Sequence, residues 1–121
     1  MSRNQNIGRV GETKACDYLI DKGYKIIETG FYSNRWGELD IICSKEGVLV
    51  FVEVKTRTST KYGIPENAVT GHKIRALKRA ANYYCIKHPE CSKSLRMDVI
   101  SIILDSNLIN VKYFKHYKNA F

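Results

Sequence analysis

The sequence predicts an α/β domain: a mixed central β-sheet flanked by helices. Three observations point there. Residues 7–22 and 71–88 carry apolar side chains at helical spacing, while the segments between and after them are β-rich runs. The order reads α, β, β, β, α, β, β, and helices interleaved with strands around one core require a sheet covered by helices. The chain has 121 residues, 44% hydrophobic and 26% charged, which suits a single globular domain spanning 1–121.

The first helix, 7–22, is expected to stop at Gly23, a common terminator. Gly8, Ala15 and Leu19 share one side, with Gly11 beside them, and such small residues permit close approach to a sheet. Glu12 sits at the edge of that side, either as a solvated charge or turned inward. A short strand follows at 24–29, then a polar, aromatic loop at 30–35. Phe31, Tyr32, Arg35 and Trp36 either pack on the sheet or offer stacking surfaces to nucleic acid. Residues 58–68 read as a loop, and Thr70 as the N-cap of the second helix. Ile74, Leu77, Ala81 and Tyr84 form that helix's apolar stripe, with Lys73 on its first turn and Arg75, Lys78, Arg79 and Lys87 facing elsewhere. Pro89 ends it. Residues 95–104 are strongly β-forming, Asp105, Ser106 and Asn107 make a turn, and 108–117 is a last strand rich in Lys and aromatics.

The centre of the chain is a hairpin. Residues 36–42, from Trp36 and Gly37 through Glu38, Leu39, Asp40 and Ile41 to Ile42, form one arm, and residues 48–57 the other. Side chains alternate with period two, so Leu49, Phe51, Glu53 and Lys55 share a face and Val48, Val50, Val52 and Val54 share the other. If Glu46 and Gly47 make a two-residue turn, Lys45 pairs with Val48 and Asp40 falls opposite Glu53. A four-residue loop shifts the register by two and keeps both acids on one face. Two carboxylates on a largely buried sheet are costly unless paired or bound to a metal. Asp40 and Glu53 are hard oxygen ligands suited to Mg²⁺ or Mn²⁺, the Val54 carbonyl is a further oxygen, and Lys55 can stabilise charge on a phosphate. The same residues can also form a self-satisfied cross-strand ion pair.

Lys and Arg number 20 against 12 Asp and Glu, a net charge of +8, which favours polyanionic partners and nucleic acid first. No apolar run approaches the ~20 residues that span a bilayer. Residues 1–6 lack the apolar core of a signal peptide, so a cytoplasmic location with no membrane partner is expected. Cys16, Cys43, Cys85 and Cys91 show no zinc-site spacing and are expected as reduced, mostly buried thiols.

Asp40, twelve residues, then Glu53, Val54 and Lys55 resembles the signature of the PD-(D/E)xK nuclease superfamily, with Leu39 standing where the superfamily name has Pro. A wider set extends the likeness: Gly8, Gly11, Glu12 and Ala15; Gly37 through Ile42; Phe51 through Arg57; Lys73; and Arg96, Met97, Asp98 and Val99. Together they resemble the YraN family of small bacterial proteins. That resemblance implies a restriction-endonuclease-like fold with an αβββαβ core and a Mg²⁺- or Mn²⁺-dependent endonuclease acting on DNA, with branched or processed DNA as a candidate substrate. It implies that Asp40 and Glu53 are the principal metal ligands, that Glu12 is a helix-borne acid reaching the metal, and that Lys55 is the catalytic lysine. Lys73 stands where related nucleases carry Gln or Lys beside the site. Arg57, Lys73, Arg75, Lys78 and Arg79 are the expected nucleic-acid contacts, DNA before RNA. The alternatives are a non-catalytic nucleic-acid-binding module that kept the fold, and an interaction domain whose acids are internally paired. Monomer and homodimer both remain open.

Overall fold

The computed structural model describes residues 2–61, 63–91 and 94–121. Helix α1 covers Arg3–Asp21, strand β1 Lys25–Tyr32, β2 Glu38–Lys45, β3 Val48–Arg57, helix α2 Gly71–Lys87, β4 Leu95–Leu104 and β5 Val111–Tyr117. The five strands form one sheet in the order β1-β2-β3-β4-β5, antiparallel except for the β3–β4 pair, which is parallel. The parallel pair needs a long crossover, and α2 supplies it. The expected mixed sheet flanked by helices is therefore the observed architecture. Among the described residues no helix is long and apolar enough to cross a membrane.

The two helices cover opposite faces of the sheet. Ala15 and Leu19 of α1 pack with Ile41, Val50, Val52, Val54, Ile100 and Ile102. Leu77, Ala80, Ala81 and Tyr84 of α2 pack with Leu39, Ile42, Leu49, Phe51 and Met97. β3 thus divides by period two as its sequence requires: its valines meet α1, while Leu49 and Phe51 meet α2. Covered on both sides, β3 and β4 are nearly continuous apolar runs. Gly11 is buried where α1 crosses β3, and a Cβ there would lie 1.8 Å from Thr56 Oγ1. Only glycine permits that approach.

The hairpin turn is the two-residue form. Glu46 and Gly47 both take positive φ, 52° and 80°, and Lys45 pairs with Val48. The register continues to Ile41↔Val52. The helix caps also follow local chemistry: the Thr70 hydroxyl accepts the Lys73 N–H at 3.3 Å.

Several boundaries differ from the sequence expectation, and β2 begins at Glu38 rather than Trp36, because Ser33 holds Trp36 and Gly37 in a turn. α1 begins four residues early because Ser2 and Gln5 make a capping box, with the Ser2 hydroxyl accepting from the Gln5 N–H at 3.2 Å and the Gln5 side chain accepting from the Ser2 N–H at 3.0 Å. The added turn is exposed, so no apolar periodicity marks it. β1 runs on through Gly30 to Tyr32, because pairing of Phe31 with Leu39 and Tyr32 with Glu38 outweighs the loop-like composition. β5 starts at Val111 rather than 108, since the Asp105 carboxylate accepts from the Ile109 N–H at 3.0 Å and Leu108 takes a φ of 60°. The segment expected as plain loop also holds a 3-10 turn, Pro65–Ala68. All four cysteines are free thiols, as expected, but only Cys43 is buried; Cys16, Cys85 and Cys91 are half-buried, because they sit at the edges of the helix-sheet packing rather than within it.

Candidate active site

The hairpin brings Asp40 and Glu53 together where the β2–β3 ladder ends. Beyond Ile41↔Val52 the backbones part, and the Val54 N–H donates instead to Asp40 Oδ2 at 2.9 Å. Burial raises the Asp40 pKa far above the carboxylate range, and a hydrogen bond shared with Glu53 and the charge of Glu53 push the same way. The Val54 N–H and the Lys55 ammonium pull it down without restoring the ordinary value. Glu53 is 4% exposed, and its Oε2 is buried with no hydrogen-bond partner.

Both helices reach this pair. Glu12 projects from α1, one residue past the tight Gly11 crossing, and its pKa is raised to about 7 by burial, then by Asp40 and by Glu38. From the other side Lys73 Nζ lies 3.5 Å from Glu53 Oε2, with the lysine still 40% exposed. Lys55 is half-buried on β3, close enough for its charge to act on Asp40. Arg57, at the end of β3, has its Nε buried without a hydrogen-bond partner. Arg75, Lys78 and Arg79 stand exposed on α2.

The acids therefore form a touching pair, Asp40 and Glu53, with Glu12 adjoining Asp40. Among the described residues no three His, Cys, Asp or Glu side chains close into a group able to hold a metal ion. Mg²⁺ commonly takes only one or two carboxylates, completing its shell with water and substrate phosphate. Half-buried Asp40 and buried Glu53, whose Oε2 makes no hydrogen bond and has only the Lys73 ammonium at 3.5 Å, have the donor chemistry for such an ion. A cavity of about 550 Å³ is lined by Glu12 together with Gly8, Arg9, Thr13, Cys16 and Thr29. It offers access to Glu12 and does not include Asp40 or Glu53.

Two polar clusters were not anticipated. Glu66, on the 3-10 turn, accepts hydrogen bonds from Ser101, Tyr113 and Tyr117. Burial works to raise its pKa, but those hydroxyls outweigh it and hold Glu66 at about 2. The cluster ties the β3–α2 connection to β4 and β5. Asp98 is fully buried and accepts from Arg96 Nε and Nη2, each at 2.9 Å, from His116 Nε2 at 2.7 Å, and from the Asn119 N–H at 2.9 Å. Burial opposes its ionisation, yet these donors keep its pKa below the usual value. Arg96 and Asp98 entered the sequence reading only through the family likeness. No local spacing pointed to Glu66.

A five-stranded mixed sheet between two helices, with an acid pair at the end of its central hairpin, is consistent with a nuclease-like fold. Residues 11–102 match the "Uncharacterised protein family UPF0102". The chain belongs to that family, in agreement with the YraN likeness. It is 45% identical over 118 residues to a UPF0102 protein of Syntrophomonas wolfei, covering 98% of this chain and 99% of the relative. A UPF0102 protein of Persephonella marina is 41% identical, covering 94% and 91%. One of Clostridium botulinum is 43% identical, covering 98% and 95%.

Proposed function

We propose that this protein is a metal-dependent endonuclease that hydrolyses phosphodiester bonds of DNA. The observation that carries the reading is the close pairing of Asp40 with the buried Glu53, two hard-oxygen carboxyls that share one site beside the Lys55 ammonium. Asp40 and Glu53 would hold Mg²⁺ or Mn²⁺, with Glu12 supporting the ion or its waters. A bound ion of this kind supplies a water of lowered pKa and neutralises charge on the scissile phosphate. The chain's own groups do the rest. Lys55 orients the attacking water and stabilises negative charge as it develops. Lys73 holds Glu53 in place from α2. Arg75, Lys78 and Arg79, exposed on α2, meet the DNA backbone.

The reading is tested with purified protein on branched, duplex and single-stranded DNA, and on RNA, with Mn²⁺ or with chelator. Cleavage should require the ion, and Glu53→Ala and Lys55→Ala should each abolish it while the fold is retained by circular dichroism. Near-wild-type cleavage by either folded variant removes that residue from the mechanism. The Lys73–Glu53 ion pair at 3.5 Å favours one competing reading, a binding module whose acid is internally satisfied. Tight binding to DNA with no ion-dependent cleavage of any substrate would select it.

A further inference from the structure

We propose that Trp36, Arg79 and Tyr83 form a seat for one unpaired base of the nucleic-acid substrate, carried by α2 and by the turn that leads into β2. The proposal rests on the nuclease reading for its biological setting and on a separate group of residues for its geometry. A cavity of about 340 Å³ lies between the β1–β2 turn and the outer side of α2, lined by Trp36, Lys78, Arg79, Asn82, Tyr83 and Ile86. Two aromatic rings, two cations and one amide line it, with no acid among them. The Arg79 guanidinium carbon lies 4.7 Å from the Trp36 ring centroid and that of Arg35 lies 5.4 Å from it. Asn34 Nδ2 donates to the Tyr83 hydroxyl at 3.3 Å, and Lys87 Nζ stands 5.5 Å from the Tyr83 ring.

The turn that presents Trp36 is firmly built. Ser33 is fully buried, its hydroxyl donates to the Gly37 carbonyl, and it accepts the Trp36 N–H at 3.2 Å. That turn feeds β2, with Asp40 four residues beyond Trp36. α2 in turn carries both Lys73, the partner of Glu53, and Arg79. Six residues of helix separate those two, about 9 Å of rise. The same two elements therefore carry the acids and the seat, with Arg79 about 120° round the helix axis from Lys73.

The chemistry selects an unpaired base. Arg79 and Arg35 lie over the Trp36 ring, so a base would take the place of one guanidinium on that π-face and leave the cation to its phosphate, and stacking of this kind tolerates any base. A base inside a duplex has both faces covered by its neighbours and cannot lie on a side chain. Single-stranded ends, flaps and extruded bases can.

Trp36 is the single tryptophan of the chain, so its fluorescence reports on the seat alone. The experiment titrates the protein in chelator with a single-stranded oligodeoxynucleotide, a blunt duplex of the same sequence, and an abasic oligonucleotide of equal length. The base-bearing single strand should quench saturably, and the other two should not. By anisotropy, Trp36→Ala and Arg79→Ala should each raise the single-strand Kd about 5- to 100-fold, and Trp36→Phe should recover most of the affinity. Equal quenching by the abasic strand or the duplex would show a phosphate-binding surface and overturn the seat. So would wild-type affinity in folded Trp36→Ala. Should Trp36→Ala fail to fold, Arg79→Ala decides, since Arg79 is an exposed helix residue. Quenching without Mn²⁺-dependent cleavage would overturn the nuclease reading alone. Cleavage without base-dependent quenching would overturn the seat alone.

Discussion

Asp40→Asn should stabilise the metal-free protein, although it alters a residue at the centre of the site. In the unfolded chain Asp40 titrates near its ordinary value of 3.8, whereas in the fold burial and Glu53 keep it protonated far above that. Glu12 behaves alike, from an ordinary 4.5 to about 7. The native state therefore retains protons that the unfolded chain has released. Each such carboxyl contributes stability that is complete below its unfolded pKa and is lost as pH rises through its folded pKa. For one retained proton the loss is at most about 1.4 kcal/mol per pH unit. Between pH 5 and 7 that limit is about 2.7 kcal/mol, and relaxation of the site brings the expected value nearer 1–2 kcal/mol. The asparagine carbonyl can still accept the Val54 N–H, and its amide can donate to Glu53, so both contacts survive with no proton required. At about 4 °C per kcal/mol for a domain of this size, Asp40→Asn should melt about 4–8 °C above wild type at pH 7 in chelator. The difference should shrink toward pH 5. A divalent ion should reverse the order of benefit. At ten times its Kd it adds about 1.4 kcal/mol to wild type, while the variant has lost a hard ligand and gains far less. The assay is thermal melting by circular dichroism at pH 5 and 7, with Mg²⁺, Mn²⁺ or chelator at constant ionic strength. A variant that melts well below wild type in chelator, together with no ion-dependent shift in wild type, would make Asp40 a structural partner and remove the main support for a metal site.

Two further outcomes follow from the fold and its charge. Gly11→Ala places a methyl group 1.8 Å from Thr56 Oγ1; it should cost about 1–3 kcal/mol, and a melt indistinguishable from wild type would mean that α1 crosses β3 less closely than described. DNA affinity should fall with salt at a log-log slope of about −0.9 per phosphate neutralised, and Arg75→Glu with Lys78→Glu should flatten that slope without favouring any sequence. An unchanged slope would move the binding surface to the exposed lysines Lys112, Lys115 and Lys118 near the C-terminus.

Local chemistry sufficed for the helices and the hairpin. The Thr70 cap, the Gly23 and Pro89 stops and the period-two valines of β3 each act within a few residues, so their consequences can be read along the chain. The meeting of Asp40 with Glu53 is only partly of this kind: the two-residue turn sets the register as far as Ile41↔Val52, but alternation breaks at Asp40, since Leu39 packs on the α2 side and Ile41 on the α1 side, and the Asp40 carboxylate turns to the Val54 N–H instead. Other features depend on segments far apart in the chain. Tyr117 reaches Glu66 across 51 residues, and Asn34 reaches Tyr83 across 49. No periodicity connects such positions, because their proximity is set by how α2 and β5 pack on the sheet. Glu12 illustrates the division within one residue. Its helical position is evident from the sequence, but its turn inward rather than into solvent, and with it a pKa near 7, arises only when Gly11 lets α1 close on β3 and burial strips water from the carboxyl beside Asp40.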